Sequence, residues 1–478
     1  MPKRFWLLGC EEQAIKKEKT MQNRREFLTN SLMAGAALAA GGCASLKATT
    51  QGAPMIGFRC KPLSTVRVGV VGLGSRGGGM INRVGRLPGV RVTAICDIQR
   101  AKIDQMQARL QAQGQPRAKV YEGAEAYKAL CDSNDVDVIY NPTPWQIHES
   151  VCLAALRGGK HVMNEVTSVM GVEKAWEIVE AAEKAQRHCM QLENCIYGEI
   201  EMLTFNLVRK GLLGEVMYAE GAYDHDGRHM INDHFPAYQY WRYDWYRDHA
   251  GNPYPTHGLV PLCLTMDINR GDRFDYLVSQ DSKEVSFTYF KQHAVAKNNP
   301  RRNEKVKMGD MNNSLIRTVN GKSILVQHTV SVPRPYSRIQ LVQGTRGIVE
   351  DYPFRIALEK KCGDNQAHKW MSDEDAAAIR KEYMHPLWKT IGEIAKKAGG
   401  HGGMDYIQDA RWSYCLRMGL PLDTTVYDMA TTGCLCELTE YSATHRSAAV
   451  DVPDFTRGTW RTAKKMELID IDLKHFQI

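Results

Sequence analysis

Apolar positions along this chain fall into two textures. From Thr65 to Asn194, short apolar runs alternate with amphipathic stretches. "TVRVGVV", "VRVTAICD", "AKVYE", "DVDVIYNPTP", "KHVMNEV" and "HCMQLEN" read as buried strands, and segments such as "GVEKAWEIVEAAEKAQR" between them as helices. This alternation predicts a doubly wound parallel sheet, whose ligands gather at the carboxyl ends of the strands. Past Asn194 the runs lengthen and alternate. In "MNNSLIRTVNGKSILVQHTVS" the pair Asn320-Gly321 separates two such runs, a hairpin signal, and "SRIQLVQGTRGIVEDY" reads as a second hairpin turning between Gly344 and Gly347. A large, mostly antiparallel open sheet follows, expected to lay one face on a core and turn the other toward a ligand. Near the end, "DEDAAAIRKEYMHPLWKTIGEIAKKA" predicts helical packing.

The first strand runs straight into Gly72-x-Gly74-x-x-Gly77 and a helix, and the second strand ends in Asp97, about twenty residues past Gly77. Gly72 permits the tight turn, Gly74 lets backbone approach a pyrophosphate, and Gly77 lets the helix pack against the strand. Amides at the helix start would hold the phosphates. An acidic residue at position 97 accepts from both ribose hydroxyls and repels a 2′-phosphate, so the cofactor implied is NAD rather than NADP. The fold class is therefore an α/β Rossmann domain followed by an α+β domain. The expected boundaries are an N-terminal extension and export signal over 1–46, a linker over 47–64, the Rossmann domain over 65–194 and the α+β domain with C-terminal helices over 195–478. The remaining strand ends bring Asn141, Pro142, Thr143, Trp145, His148, Glu165 and Asn194 to the cofactor edge, with catalytic groups facing NAD across an interdomain cleft.

Composition narrows the function classes. The net charge of +8 arises from 62 basic and 54 acidic residues, too mild a bias for nucleic-acid binding. No apolar run is long enough for a polytopic membrane protein. The thirteen cysteines are scattered, with no CxxC and no histidine spacing that builds a zinc site, so no metal is expected. The N-terminal "NRREFLTNSLMAGAALAAGGC" sets Arg24 and Arg25 before Phe27 and Leu28 and a stretch of small apolar residues. This pattern looks like a twin-arginine export signal, a short buried helix being the alternative. Met21 just before it suggests that residues 1–20 are an upstream extension. Cys43 stands where the lipidated first residue of a periplasmic, membrane-anchored lipoprotein would.

In "NPYPTHGLVPLCLTMDINRGD", Tyr254, Thr256 and His257 crowd two prolines ahead of an apolar helical stretch, the mark of a site. Together with "ENCIYG", "INRGDRFDYLVS", "GDMNNSLIRT", "RPYSRIQLVQGTRG", "HGGMDY" and "VDVPDFTRGTW", it resembles glycoside hydrolase family 109, the NAD-dependent α-N-acetylgalactosaminidases, within the glucose-fructose oxidoreductase, inositol dehydrogenase and MocA superfamily. The resemblance covers essentially the whole mature chain. It implies hydrolysis of terminal α-linked N-acetylgalactosamine without the usual pair of carboxylates. Bound NAD oxidises the sugar 3-hydroxyl, the C2 hydrogen becomes acidic, the anomeric substituent is expelled, water adds, and C3 is reduced again with no net redox. Carried over by position, cofactor contacts fall on the glycine loop with Ser75 and Arg76, on Asp97, Trp145, Gln146 and His148, on Glu165 with Val166, and on Asn194. Substrate contacts fall on Tyr223, Arg242, Tyr254, Pro255, Thr256, His257 and Tyr336. His257 is the candidate base for the 3-hydroxyl, since imidazole titrates close to working pH. Tyr254 or Tyr223 could share proton transfer or position the sugar.

Three alternatives stay open at this level. The chain could be a sugar dehydrogenase, a family glycosidase with other specificity, or a catalytically silent sugar-binding lipoprotein. Superfamily dehydrogenases often carry a lysine in an "EKP" segment where this chain reads "NEVTS" beside Glu165, which favours the hydrolase. Val260 in "HGLVP" stands where the family usually has glycine, and "EVTS" replaces the commoner "EVPA". Arg242 could touch sugar or be a cation stacked on aromatic rings. The aromatic cluster Tyr238 to Tyr246 could be a sugar platform or a loop's own small core. An exposed sheet face could support a homo-oligomer.

Overall fold

A computed structural model describes residues 52–232, 241–467 and 470–476. The export signal, Cys43 and the first aromatics of the Tyr238 to Tyr246 cluster lie outside the described residues.

Six parallel strands form the first sheet: β1 (Val66–Val71), β2 (Val90–Asp97), β3 (Lys119–Glu122), β4 (Val138–Asn141), β5 (His161–Glu165) and β6 (Cys189–Leu192). Their order is β3-β2-β1-β4-β5-β6, so the direction of winding reverses between β1 and β4. All of β4, β5 and β6 is buried, as near-continuous apolar strands covered by helices on both faces must be. The reversal opens a crevice at the carboxyl end of the sheet, between the glycine loop after β1 and the loop after β4.

The second sheet holds β7 (Val216–Asp224), β8 (Phe274–Asp281), β9 (Asn312–Thr318), β10 (Ser323–Thr329), β11 (Leu341–Gly344), β12 (Gly347–Glu350), β13 (Arg355–Leu358) and β14 (Val450–Asp451). The order is β13-β12-β11-β7-β10-β9-β8-β14, and only the pairing of β7 with β10 is parallel. Both hairpins read from the sequence are present, β9–β10 around Asn320-Gly321 and β11–β12 around 344–347. Gly321 has φ +88°, which its turn requires.

Three expectations change. In β9, buried and exposed residues alternate strictly, with Leu315 on the open side. The open face does not carry the candidate site. Tyr223 lies on the covered face, in register with His328 of β10, at the end of its strand. Second, the C-terminal segment read as one helical stretch is two helices, Asp373–Tyr383 and Pro386–Ala398, because Pro386 disfavours helical geometry in the residue before it. Third, the part of the linker that is described is packed down. Met55 is buried, its amide donates to the Tyr427 hydroxyl at 3.2 Å, and Leu63 pairs with the Leu416 carbonyl.

One contact sets the sheet against the site. The helix Thr256–Thr265 crosses β7 with Gly258 against Gly221, so closely that a Cβ on either would overlap the other segment's backbone. The first residues of that helix therefore stand directly over the end of β7.

Candidate active site

The glycine loop has the shape the spacing implied. Gly72 takes φ +96°, closing the turn. A Cβ on Gly77 would overlap the Gly72 carbonyl, whereas a Cβ on Gly74 would meet no protein atom and would point into open space. Gly74 is the N-cap of the helix Ser75–Val84, and no side chain caps its opening amides. Gly72, Gly74, Ser75, Arg76 and Asp97 line a cavity of about 220 Å³ with Thr143 and Trp241. Asp97 is held at the rim, accepting from the Leu73 amide at 2.7 Å and the Gln99 amide at 2.8 Å. Carboxylate lone pairs remain for ribose hydroxyls. This cradle fits NAD, whose pyrophosphate Gly74 and the amides of the helix start would hold.

Behind the loop, a charged cluster ties the two halves of the chain together. Arg76 donates to Glu165 at 2.7 Å and to Asp405 at 2.8 Å. The Tyr140 hydroxyl donates to Glu165, and Asn194 Nδ2 donates to Asp405 Oδ1 at 2.7 Å. Burial pushes the Asp405 carboxyl up, but His401, Arg76 and Arg83 outweigh it and hold it well below the usual carboxylate range. Asp405 opens the helix Met404–Met418, in the "HGGMDY" segment.

Asn141, Trp145, Gln146 and His148, also expected at the cofactor, do not line this cavity. Asn141 is fully buried, donates to the His148 carbonyl at 3.0 Å, and accepts from the Thr143 hydroxyl at 2.7 Å. His148 is buried too, with Nδ1 2.9 Å from the Thr167 carbonyl, and burial lowers it to about 4, so its ring is neutral. Gln146 reaches the Trp241 carbonyl at 3.3 Å. Trp145 packs its ring 5.8 Å from Tyr254 and donates to the Val166 carbonyl.

The substrate candidates converge on His257. Tyr223 and Tyr254 stack at 4.5 Å, and each meets the His257 ring edge-on, at 5.1 Å and 4.8 Å. His257 Nδ1 lies 2.7 Å from Oε1 of Glu193, a fully buried carboxylate just after β6. Burial pushes the Glu193 carboxyl up, yet His257 and the Cys195 amide hold it below its ordinary range. The carboxylate fixes Nδ1 as the protonated nitrogen and leaves Nε2 as the acceptor. Glu193 is the residue the sequence reading passed over. Burial raises both phenols, Tyr254 more strongly than Tyr223, so both remain protonated donors at neutral pH.

Arg242 sits 5.3 Å from the Trp145 ring and 5.5 Å from Tyr254, a stacked cation at the edge of the cluster. Tyr336 stands 6.1 Å from Tyr223. Thr256 is fully buried, and its hydroxyl has no partner among the described residues. Pro255 is the N-cap of the helix. Glu193, Cys195 and His257 could in principle ligate one ion, their donor atoms lying within 4.8 Å of one another. The donor chemistry favours a proton instead, since burial keeps the Cys195 thiol protonated and Glu193 already engages Nδ1.

Comparison with known proteins agrees with this geometry. Residues 197–462 match "Glycosyl hydrolase 109, C-terminal domain", and residues 66–192 match "Oxidoreductase family, NAD-binding Rossmann fold". A glycosyl hydrolase family 109 protein of Shewanella amazonensis is 40% identical over 454 residues, covering 94% of this chain and 99% of that one. One from Porphyromonas gingivalis is 42% identical over 417 residues, covering 84% of this chain and 87% of that one. The chain belongs to glycosyl hydrolase family 109.

The cofactor of this family 109 chain is NAD, carried by the Rossmann domain. Among solved structures, a levoglucosan dehydrogenase complex with NADH and levoglucosan shares the fold at TM-score 0.62 and 16% identity, covering 82% of this chain and 100% of that one. An apo scyllo-inositol dehydrogenase from Lactobacillus casei does so at 0.58 and 11%, covering 82% and 99%. The two sequence departures now have places. Val260 is buried in the core beneath the helix Thr256–Thr265, away from the Tyr223 cluster. Thr167 of "EVTS" donates its hydroxyl to the Pro253 carbonyl at 3.1 Å, tying the loop after β5 to the loop that carries Tyr254.

Proposed function

We propose that this chain is an exported glycosidase that hydrolyses terminal α-linked N-acetylgalactosamine with NAD as resident cofactor and no net redox. The Glu193–His257 pair, set edge-on to the stacked rings of Tyr223 and Tyr254, carries the reading. Ordinary glycosidases place two carboxylates across the scissile bond. Here the buried carboxylate beside the cleft is committed to an imidazole, which makes a base and its orienting acid.

When bound, NAD supplies reversible two-electron oxidation of a sugar hydroxyl. The chain supplies the proton handling. His257 Nε2 takes the proton of the hydroxyl being oxidised, while Glu193 holds Nδ1–H and stabilises the imidazolium. The neutral phenols of Tyr254 and Tyr223 donate to sugar oxygens, and Arg242, braced on Trp145 and Tyr254, faces the same cluster as a fixed cation. Arg76, Glu165 and Asp405 hold the glycine loop in register with Asn194, the neighbour of Glu193.

The test is direct. Nitrophenyl α-N-acetylgalactosaminide should release nitrophenol without stoichiometric NADH, and solvent deuterium should appear at C2 of the recovered sugar. NADH accumulating in step with sugar consumed would overturn the reading in favour of a sugar dehydrogenase. Export by the twin-arginine route, with Cys43 as a lipidated first residue, is part of the proposal, and mass spectrometry of the mature N-terminus tests it.

A further inference from the structure

We propose that the cavity bounded by Tyr336, Tyr352, Arg338 and Trp388 is a subsite for the leaving-group sugar, the neutral saccharide residue joined through the scissile bond to the unit held at His257. The inference rests on the glycosidase reading above. The cavity has about 500 Å³, within the range of small-ligand sites. A ladder of rings links it to the reaction centre, Tyr223 to Tyr336 at 6.1 Å and Tyr336 to Tyr352 at 6.1 Å. Tyr336 thus borders both spaces, and it stays 42% exposed. A ring cluster serving only as a local core would close over it.

The floor is built to be rigid. Arg338 is buried, donates Nε to Glu201 at 2.9 Å, and lies 5.6 Å and 5.4 Å from the Tyr336 and Tyr352 rings. Its charge is consumed by Glu201, so the guanidinium positions the two rings and does not call for an anion. Arg380 at the rim is likewise paired with Glu199 at 2.7 Å. An aromatic pocket whose arginines are already paired, with the Asp351 carboxylate in its wall able to accept from hydroxyls, selects a polyhydroxylated ligand with apolar ring faces and disfavours an acidic one.

Two substrates that differ only beyond the scissile bond test this: methyl α-N-acetylgalactosaminide, whose methyl group cannot reach Tyr352, and α-N-acetylgalactosaminyl-(1→3)-galactose. The ratio of their kcat/KM values cancels any general loss of fold. Tyr352→Ala should lower the disaccharide-to-methyl ratio about tenfold, near 1.4 kcal/mol, and Tyr352→Phe should restore it to within about twofold. An unchanged ratio in Tyr352→Ala overturns the proposal, as does a fall seen only with α-N-acetylgalactosaminyl-serine. Saturation-transfer NMR with free galactose reads the subsite without turnover. Signals lost in Tyr352→Ala support the subsite even if wild type cleaves neither substrate, an outcome that would overturn the parent reading alone. Signals equal in both proteins overturn the subsite.

Discussion

Gly258 lies back-to-back with Gly221, backbone against backbone, at the one crossing that sets His257 over Tyr223. Neither position has room for a methyl group, so the helix Thr256–Thr265 must lift if one is added. Gly258→Ala should therefore cost about 1–3 kcal/mol and lower Tm by a few degrees. Activity should fall further than stability alone explains, because the lift separates His257 from the tyrosines. A thermal scan beside kcat on the nitrophenyl glycoside checks it, and full activity in the variant would show that the close approach does not position the base.

The second glycine of the loop can be separated from the third by experiment. Gly74→Val puts its side chain into open space, so the apo protein should keep its Tm within about 2 °C, while NADH affinity, read by tryptophan quenching, falls at least about tenfold as the cradle fills. Gly77→Ala reverses the order of effects, since its methyl group meets the Gly72 carbonyl and destabilises the fold itself. Equal NADH affinity in wild type and Gly74→Val would mean that the pyrophosphate does not pass over Gly74.

In the proposed mechanism Glu193 acts through His257, so its removal should show in kcat rather than in KM. Glu193→Gln preserves shape and removes charge. We expect kcat to fall by ~10²–10⁴, with KM little changed. His257→Ala should be at least as slow. A lowered Tm with kcat per folded enzyme unchanged would assign Glu193 a structural role only.

These expectations show where the sequence was legible. The strands and the glycine loop could be read because their determinants are local: runs of valine, a turn of fixed length, an acidic residue at set spacing. Both hairpins could be read for the same reason. Glu193 could not, since its partner stands 64 positions away and meets it through tertiary packing of the helix Thr256–Thr265 against the turn Asn194–Tyr197. Asn141 ends β4, and His148 lies in the helix Trp145–Arg157 that follows it. Strand position could not tell that their side chains turn inward, to the His148 and Thr167 carbonyls. The break before Pro386 was written in the chain and was hidden by the strong helical pattern on either side.

Buried histidines give the fold an acid limit, opposed in part by Asp224, which burial raises to about 6. Burial lowers His148 and His385 to about 4, and His161, His188 and His328 to about 3. In the unfolded chain each titrates near 6.5. Between these values the unfolded chain binds protons that the folded chain refuses, so stability rises with pH across the window and is lost as pH falls from about 6.5 toward 4. Each histidine contributes up to about 1.4 kcal/mol per pH unit inside the window. Carboxylates such as Glu440, which burial pushes up but His249 and Lys307 bring down to about 2, add their own loss only at lower pH. Tm should thus drop steeply between pH 7 and 5, with net proton uptake on unfolding measurable from the buffer dependence of the calorimetric enthalpy. A Tm that stays flat over that interval, or unfolding that releases protons, would mean that these rings are charged inside the fold and that their burial does not set its acid limit.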